Sequence, residues 1–365
     1  MSLALTGIGI AVPGEPVSQT RAAEIARRFF DQTPERERLL PTLFRWTRVD
    51  TRHSVLDSWS DEDLAAGRET FFERPRHELD RGPTTAQRME RYEAHAAPLA
   101  VDASRSALAD AGLDANRITH LVTVSCSGFA APGVDVALIK RLGLDPGVAR
   151  SHVGFMGCHA AINGLRVARS FVDADPEARV LLCAVELCTL HVHYGWDPEK
   201  IVANAIFSDG AAAVVGSSAE NGHRREWQVA ANGSRVLDDC EDAMTWKVRD
   251  HGFEMTLSPR VPDLIREHVR PWLEEWLGGH GLSIATVGSW AVHPGGPRIL
   301  GAFEQATGVA RRKLETSYKV LARYGNMSSP TVLFLLERLR RIQAPRPAVA
   351  IGFGPGLAIE AALIR

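Results

Sequence analysis

The chain alternates repeatedly between segments with the apolar spacing of a helix and segments typical of buried strands. Residues 88–114, RMERYEAHAAPLAVDASRSALADAGLD, carry apolar side chains three and four positions apart, and ITHLVTVSCSG at 118–128 is a short β-rich run. The pair recurs as GCHAAINGLRVARSFVDADPE at 157–177 and ARVLLCAVEL at 178–187. Such alternation predicts an α/β fold with buried strands.

A similar order begins again in the second part of the chain. We predict an extended lead-in and a helix in FEMTLSPRVPDLIREHVRPWLEEWLG at 253–278, a strand in IATVGSWAVHPGG at 284–296 and an apolar helix in SSPTVLFLLERLRRI at 328–342. AVAIGFGPGLAIEAALI at 348–364 predicts a closing β-hairpin. The repetition indicates a pseudo-duplicated fold, although no literal sequence repeat is present.

The expected division of the chain follows from this repetition. We assign residues 1–220 to a first half, which opens with a predicted strand, and residues 221–365 to a second half. Residues 30–83, rich in Arg, Glu, Asp and Pro, are the least regular stretch. We expect them to form a surface excursion or a helical lid on the first half.

Charge and hydropathy exclude several classes of protein. The 365 residues include 42 basic and 44 acidic side chains, so the formal net charge of -2 gives no signature of a nucleic-acid-binding protein. The first residues lack the basic start of a signal peptide, and no apolar run approaches the roughly 20 residues that cross a bilayer. We expect a cytoplasmic enzyme that does not insert into membranes.

The cysteines direct attention to one position. They number five, without CxxC spacing, which argues against a disulfide scaffold and against a structural metal site. Cys158 follows Gly154 and Gly157 and opens a predicted helix, where unpaired N–H groups and the helix dipole stabilise a thiolate. The alternative is a buried packing residue, the interpretation that we prefer for Cys183 and Cys188.

Two polar residues occupy comparable positions at the ends of elements. His293 follows an apolar strand and precedes Pro-Gly-Gly, and Asn326 lies between a Gly turn and a long apolar helix. Asn326 could instead cap that helix, as could Ser328 or Ser329. Together with Cys158, the two residues form a set that can activate a thiol and hold a carbonyl oxygen.

These motifs resemble those of type III polyketide synthases, specifically bacterial members of the chalcone synthase-like branch of the thiolase-fold condensing enzymes. The resemblance runs from GIGIAVPGEPVS through GFMGCHAAINGLRVA, IFSDGAAAVV, WAVHPGGPRIL and RYGNMSSPTVLFLLE to GFGPGLAIE. It implies a five-layered αβαβα homodimer. It also implies an acyltransferase that condenses malonyl-CoA units, with loss of carbon dioxide, onto an acyl-CoA starter, without an acyl carrier protein.

The resemblance also implies roles for particular residues. Cys158 would carry the starter and the growing chain as a thioester, and His293 would keep its sulfur ionised in a thiolate–imidazolium pair. Asn326 and His293 would donate hydrogen bonds to the malonyl thioester carbonyl. Phe207, in NAIFSDG, matches an aromatic gatekeeper between substrate tunnel and cavity, although a core aromatic ring is an alternative interpretation.

The sequence departs from the plant members of this family at the expected cavity wall. Met255 stands where plant relatives usually carry a second gatekeeping Phe, Trp246 where they usually have a small residue, and Cys126 where many have Thr. We also place Ser328 at the cavity. A second acyl-loading role for Cys126 is the less favoured interpretation. The departures favour long-chain or medium-chain starters and alkylresorcinol or alkylpyrone products, or a related aromatic polyketide.

Coenzyme A thioesters would be substrates, and no metal or further cofactor is expected. Their phosphates require cations, and Arg45, Arg48 and Arg52 lie in the region where the family places its basic contacts, although each is also typical of a solvated charged surface. The main alternative function is that of a ketoacyl synthase III-like enzyme that uses an acyl carrier protein. Such enzymes typically carry His-Gln-Ala-Asn, whereas His293 precedes Pro-Gly-Gly-Pro. A catalytically inactive protein of the same fold is a third alternative.

Overall fold

The computed structural model describes residues 2–30, 33–56, 71–223 and 226–365. In the first half the strands are β1 (Leu3–Ala11), β2 (Val17–Ser18), β3 (Thr51–Arg52), β4 (His120–Ser125), β5 (Ala149–Gly154), β6 (Arg179–Leu187) and β7 (Asp209–Ser218). The helices there are α1 (Gln19–Ala26), α2 (Pro34–Trp46), α3 (Thr85–Ala111), α4 (Val134–Leu142), α5 (Ala160–Ala174) and α6 (Pro198–Ile206).

The second half has the same alternation. Its strands are β8 (Trp227–Arg235), β9 (Met244–Arg249), β10 (Gly252–Leu257), β11 (Ser289–Val292), β12 (Ala348–Gly354) and β13 (Ala358–Ile364). Its helices are α7 (Val261–Gly278), α8 (Pro297–Thr307), α9 (Glu315–Tyr324) and α10 (Pro330–Arg341). These elements confirm the helices and strands predicted from periodicity, including the closing hairpin β12–β13.

The strand order shows the duplication directly. One sheet runs β11-β12-β13-β8-β1-β7-β6-β4-β5. Outward from the centre of the sheet, the first half has the strand order β1, β7, β6, β4, and the second half has the order β8, β13, β12, β11. In each series the first two pairings are antiparallel and the third is parallel. A short antiparallel pairing of β1 with β8, Leu3 opposite Val229, joins the halves. The predicted pseudo-duplication is therefore a property of the topology.

Helices cover both faces of each half and produce five layers. Helix α3 packs on the outer face of the first-half strands, and α7 and α8 cover the outer face of the second-half strands. Helices α5 and α10 lie between the two sets of strands and contact both. This is the αβαβα arrangement expected from the resemblance, and it brings the starts of α5 and α10 into the same central layer.

The apolar sequence of β6 follows from this layering. Leu181, Cys183 and Val185 point into the core under α3, whereas Leu182 and Ala184 point into the core around α5 and α10. A strand with period-2 alternation between two apolar cores carries no solvent-facing position, so its sequence is continuously apolar. Cys183 is accordingly a packing residue, as predicted.

Outside the sheet, local sequence signals define the boundaries of α3. Thr84 and Gln87 form a capping box at its start, and Gly112 ends it in the left-handed conformation (φ 60°) that glycine adopts without strain.

Within the irregular stretch 30–83 the described residues contain α2 and β3, and the part of the predicted lid at 57–70 lies outside the described residues. Among the described residues, none of the helices combines the length and the hydrophobicity that spanning a bilayer requires.

Candidate active site

Cys158 lies in a tight turn at the start of a central helix. The turn Gly157–His159 is a 3₁₀ helix that leads from β5 into α5. Gly157 has a φ of 71°, and a Cβ at this position would overlap the Pro355 ring in the β12–β13 hairpin. Only glycine satisfies both conditions, so the glycine predicted to permit the turn also lets the second half approach the cysteine. Cys158 is 7% exposed, at the wall of a cavity.

Asn326 faces this sulfur from the other half. Its Nδ2 donates towards the Cys158 Sγ at 4.0 Å, and its Oδ1 accepts from the Ser328 backbone N–H at 2.8 Å. The residue immediately before α10 is Ser329, whose side chain forms no capping hydrogen bond with that helix. The capping alternative for Asn326 and for the serines is therefore wrong, because their side chains bind within the site.

The backbone of Asn326 is tied to that of the predicted gatekeeper. Residues 207 and 326 form an isolated parallel bridge, in which Ser208 N donates to Asn326 O (2.9 Å) and Asn326 N donates to Ile206 O (2.8 Å). Phe207 is half-buried and lines the same cavity as Cys158. The bridge fixes the backbones of Phe207 and Asn326 relative to each other across the two halves.

His293 immediately follows β11 and is joined through its backbone to β12. Its backbone N–H donates to Ile351 O at 2.8 Å, and β12 packs against His159, the residue after Cys158. His293 is 1% exposed, and neither ring nitrogen has a hydrogen-bond partner in the structure. Buried polar atoms are normally paired, so this imidazole retains hydrogen-bonding capacity for a bound substrate.

The surroundings favour the uncharged forms of both groups. Burial raises the pKa of the Cys158 thiol to about 11, although hydrogen bonds from Ser328 and Asn326 oppose the shift. Burial, with a smaller contribution from the charge of His159, lowers the pKa of His293 to about 3. Each shift, for the group by itself, favours a neutral thiol or a neutral imidazole, and the thiolate–imidazolium pair stays a prediction.

One group at the site was missed by the sequence reasoning, the buried carboxylate of Glu186. It accepts hydrogen bonds from the backbone N–H groups of Cys126 and Ser127 and from the Ser329 hydroxyl, at 2.6 to 3.1 Å. Burial raises its pKa. The carboxylate thereby joins the end of β4 to the start of α10. The sequence signal that could have identified Glu186 is an acidic residue near the end of the apolar run VLLCAVEL.

The expected cavity residues line one partly open cavity. Its lining includes Cys126, Cys158, Phe207, Trp246, Met255 and Ser328. Cys188, Met244 and Pro355 also line it. The structure thus brings together the proposed nucleophile and the residues assigned to substrate binding. Cys188 lies at the cavity rather than solely in the core, which corrects its interpretation as a packing residue.

Cys126 has a poor environment for acyl loading. Its Sγ lies 3.4 Å from the Ser328 Oγ. Burial, followed by the negative charge of Glu186, raises its pKa well above the ordinary value. The thiol is therefore kept protonated. This agrees with the sequence analysis, which did not favour acyl loading on Cys126.

The three predicted phosphate contacts have different surroundings. Arg45 and Arg48, at the end of α2, are exposed. Arg52 is buried, its guanidinium donates to the carbonyl oxygens of Asn204 and Phe207, and burial lowers its pKa to about 10. Its inclusion with the surface cations was wrong, because its N–H groups hold the backbone beside Phe207.

The duplicated five-layered architecture with this central site is that of the thiolase-like condensing enzymes. Two family descriptions match the chain, "Chalcone and stilbene synthases, N-terminal domain" over residues 2–219 and the corresponding C-terminal domain over residues 228–365. The chain belongs to the chalcone and stilbene synthase family and is a type III polyketide synthase, an acyltransferase.

Individual relatives agree with this assignment. The alpha-pyrone synthesis polyketide synthase-like Pks18 of Mycobacterium tuberculosis is 35% identical over 366 residues, covering 98% of this chain and 90% of that protein. The crystal structure of PKS-I from the brown alga Ectocarpus siliculosus is 30% identical with a TM-score of 0.88, covering 100% of this chain and 98% of that one. The structure of CsyB complexed with CoA-SH is 28% identical with a TM-score of 0.85, covering 100% and 99%. The alternative of a carrier-protein-dependent synthase finds no support among them.

Proposed function

We propose that Cys158 accepts the starter acyl group and carries the growing polyketide chain. The observation that carries the proposal is the Asn326 amide directed at the Cys158 sulfur from 4.0 Å, with both side chains buried and Cys158 at the wall of a cavity. A nucleophile beside a fixed donor in a water-poor space suits thioester chemistry, because charge developing on a carbonyl oxygen is stabilised without solvent reorganisation.

Acyl transfer begins from a neutral Cys158 thiol and a neutral His293 imidazole. The Cys158 sulfur attacks the carbonyl carbon of the starter thioester while a ring nitrogen of His293 takes the thiol proton. The tetrahedral intermediate collapses with cleavage of the bond to the CoA sulfur, which leaves as CoA thiol with that proton. His293 returns to its neutral form, as its buried environment favours.

Chain extension uses the same two donors. Malonyl thioester loses carbon dioxide, and the electrons of the broken C–C bond pass to the thioester oxygen as an enolate. Asn326 Nδ2 and the N–H of neutral His293 donate to that oxygen, and one such donor is worth roughly 3 kcal/mol in comparable sites. The enolate carbon then attacks the carbonyl carbon of the Cys158 thioester and the Cys158 sulfur leaves, so that the extended chain is a CoA thioester. Attack of the freed Cys158 sulfur on that thioester returns the chain to Cys158 and releases CoA.

The substrates are proposed to be CoA thioesters and the products alkylpyrones or alkylresorcinols. The name of the Mycobacterium relative specifies α-pyrone synthesis, and CsyB binds CoA. Arg45 and Arg48 are the exposed cations retained as contacts for the CoA phosphates. The proposed use of CoA thioesters is consistent with an enzyme that acts in the cytoplasm. The proposed reaction uses no other cofactor.

We also propose a homodimer, with Cys158 in half 1–220 and both His293 and Asn326 in half 221–365 of each copy. An apolar surface beside the site supports this, since Phe129, Phe155 and Met156 are 55%, 38% and 39% exposed, and the two rings lie 6.0 Å apart. Adjacent exposed apolar side chains mark interaction surfaces. Sedimentation of the purified protein tests this, and Phe129→Asp is expected to shift the dimer towards monomer.

The central experiment supplies the purified enzyme with a panel of acyl-CoA starters and isotopically labelled malonyl-CoA, with products read by mass spectrometry. We expect carbon dioxide release coupled to pyrones or resorcinols that retain the starter alkyl chain. Reaction with malonyl-carrier protein alone would overturn the proposal.

A further inference from the structure

His159, the residue after Cys158, has a buried imidazole that the proposed reaction does not use. It ends the 3₁₀ turn that carries Cys158, immediately precedes α5 and is 2% exposed. Its Nδ1 lies 2.8 Å from the Oδ1 of Asn163, one helical turn along α5. Because an amide oxygen only accepts, Nδ1 carries the proton and donates to Asn163. This hydrogen bond fixes the tautomer and the orientation of the ring.

Two glycines of β12 receive the His159 side chain from the other half. A Cβ at Gly354 would overlap the imidazole ring, and a Cβ at Gly352 would lie 3.2 Å from the Cβ of His159. Gly354 has an extended backbone (φ -144°, ψ -173°), so the close approach of the ring requires a glycine here, not the conformation. The imidazole is therefore held between Asn163 of the first half and β12 of the second.

Strand β12 also holds the backbone of His293. The His293 N–H donates to Ile351 O at 2.8 Å, one residue before Gly352. His159 is thus bonded covalently to the proposed nucleophile, and it packs on the strand that positions the proposed proton acceptor. This contact connects the two reacting groups across the two halves of the fold.

A second polar contact fixes the rotation of α5 on the same strands. Arg166 lies seven residues after His159, which places both on one face of the helix. Its guanidinium donates to Glu360 Oε2 at 2.5 Å, and Ser234 Oγ donates to Glu360 Oε1 at 2.6 Å. Glu360 is opposite Gly352 in the pairing of β12 with β13. Since α5 is anchored at two points on the second half, the turn at its start has one position relative to β12.

We propose that His159 is a positioning residue, which holds the Cys158 sulfur in line with the amide donor and the proton acceptor of the second half. The inference rests on the proposed function, because it requires Cys158 to be the nucleophile. Burial lowers the pKa of His159, although its hydrogen bond with Asn163 opposes the shift. The ring is therefore neutral near pH 7 and acts through its hydrogen bond and its packing. A misplacement of about 1 Å at a reacting group costs roughly 100-fold in rate.

The test measures the rate constant of Cys158 acylation by hexanoyl-CoA, with rapid quenching and intact-protein mass spectrometry. His159→Phe keeps a planar ring but loses the N–H, so the rate constant is expected to fall about 100-fold while KM for the starter changes less than about twofold. His159→Asn places an N–H near the position of Nδ1 and is expected to recover about tenfold of that loss. Packing alone predicts the reverse order, because asparagine fills the buried space less well than phenylalanine.

His120→Phe is the matched control. His120 Nδ1 lies 2.8 Å from Thr119 Oγ1, and its ring stacks on Phe171 at a centroid distance of 4.4 Å. Phe171 is in the last turn of α5, whereas Cys158 precedes the first turn. This variant removes a paired imidazole from the same helix at its far end, and the acylation rate constant is expected to stay within about twofold of the wild type.

Gly354→Ala tests the contact from the side of β12. Its added methyl group displaces the imidazole, so it is expected to slow acylation about tenfold or more in the wild-type background. In the background of His159→Ala the ring is absent, and the same change is expected to have little further effect. Additive losses in the two backgrounds would overturn the contact as the cause.

Two results would overturn the positioning role and leave the nucleophile assignment intact. One is a His159→Phe variant that acylates within about twofold of the wild type, and the other is a His159→Asn variant that is no faster than His159→Phe. If His159→Phe does not fold, Asn163→Leu removes the same hydrogen bond from its acceptor side and is expected to show the same loss. Absence of acyl-Cys158 in the wild type would overturn the proposed function itself.

Discussion

The imidazole of His191 stacks on the ring of Phe253, with centroids 4.3 Å apart and an angle of 14° between the planes. Its Nδ1 accepts from the Phe253 backbone N–H at 3.0 Å, so the proton is on Nε2, which donates to Ser127 O at 2.6 Å. Burial is the main reason that the pKa of His191 is lowered to about 3. This neutral ring joins the end of β6 to the β9–β10 hairpin and supports Trp246.

His191 is expected to make the protein less stable in acid. Because its folded pKa of about 3 lies below the ordinary 6.5, the unfolded chain binds the proton first as pH falls. Its stabilising contribution is present above about pH 6.5 and is lost progressively towards pH 3, by about 2 kcal/mol between pH 7.5 and 5. Urea unfolding at the two pH values measures the change.

The matched variant for this prediction is His191→Gln. It is expected to be less stable at pH 7.5 but to lack about 2 kcal/mol of the pH-dependent loss. Asp209, whose pKa burial raises to about 6, has the opposite dependence, because its contribution is lost as pH rises. Asp209 is present in both proteins, so the difference between them isolates His191. Equal pH-dependent losses would contradict the assignment.

Alanine substitutions should distinguish the role of Cys158, the proposed nucleophile, from that of a second buried cysteine, Cys183. Cys158→Ala is expected to abolish the acyl-enzyme mass shift and product formation, since Cys158 is the thiol that the Asn326 amide faces. Cys183→Ala is the control, because that side chain packs under α3. It is expected to retain most of the activity. An acyl-enzyme in the Cys158 variant would refute the role of this residue.

Removal of the amide donor should slow decarboxylation. Asn326→Ala is expected to lower kcat by about 100-fold to 1,000-fold, the loss typical of one oxyanion donor. Release of carbon dioxide from labelled malonyl-CoA measures this step separately from acyl loading, which should persist. Ser208→Ala is a useful comparison, because Ser208 bonds to His53 rather than facing the Cys158 sulfur. A similar fall in both variants would indicate a general structural effect.

The buried carboxylate should be structural at this site. Glu186→Gln replaces one acceptor oxygen by an NH₂ group that faces the donors from Cys126, Ser127 and Ser329, and it is expected to cost about 2 kcal/mol of unfolding free energy. Unfolding in urea measures the loss. Glu24→Gln, at an exposed ion pair, provides the control and should change the unfolding free energy very little.

The exposed arginines are expected to act on the nucleotide part of the substrate. Arg45→Ala with Arg48→Ala should raise KM for malonyl-CoA by about tenfold, which corresponds to about 1.4 kcal/mol, with little change in kcat. A malonyl thioester without the nucleotide should show no such change. A rise in KM for both donors would argue against phosphate recognition.

Much of the fold and of the site was predictable from local signals. The run around Cys183 predicts a buried strand because its side chains alternate between two apolar cores. Gly157 predicts a sharp turn because the φ it adopts is costly for other residues. The positions of His293 and Asn326 at the ends of elements likewise follow from neighbouring strands, turns and helices.

The sequence by itself determined the elements, their repetition in two halves and the candidates for the reactive side chains, because these depend on periodicity and on residue chemistry over short distances. Only the tertiary structure decided that Arg52 is interior, that Glu186 joins two elements and that Trp246 bonds to the Cys126 backbone. It also decided that Cys158 and His293 are both buried. Burial and the pairing of polar atoms depend on residues distant in the chain, and no local pattern specifies which of them meet.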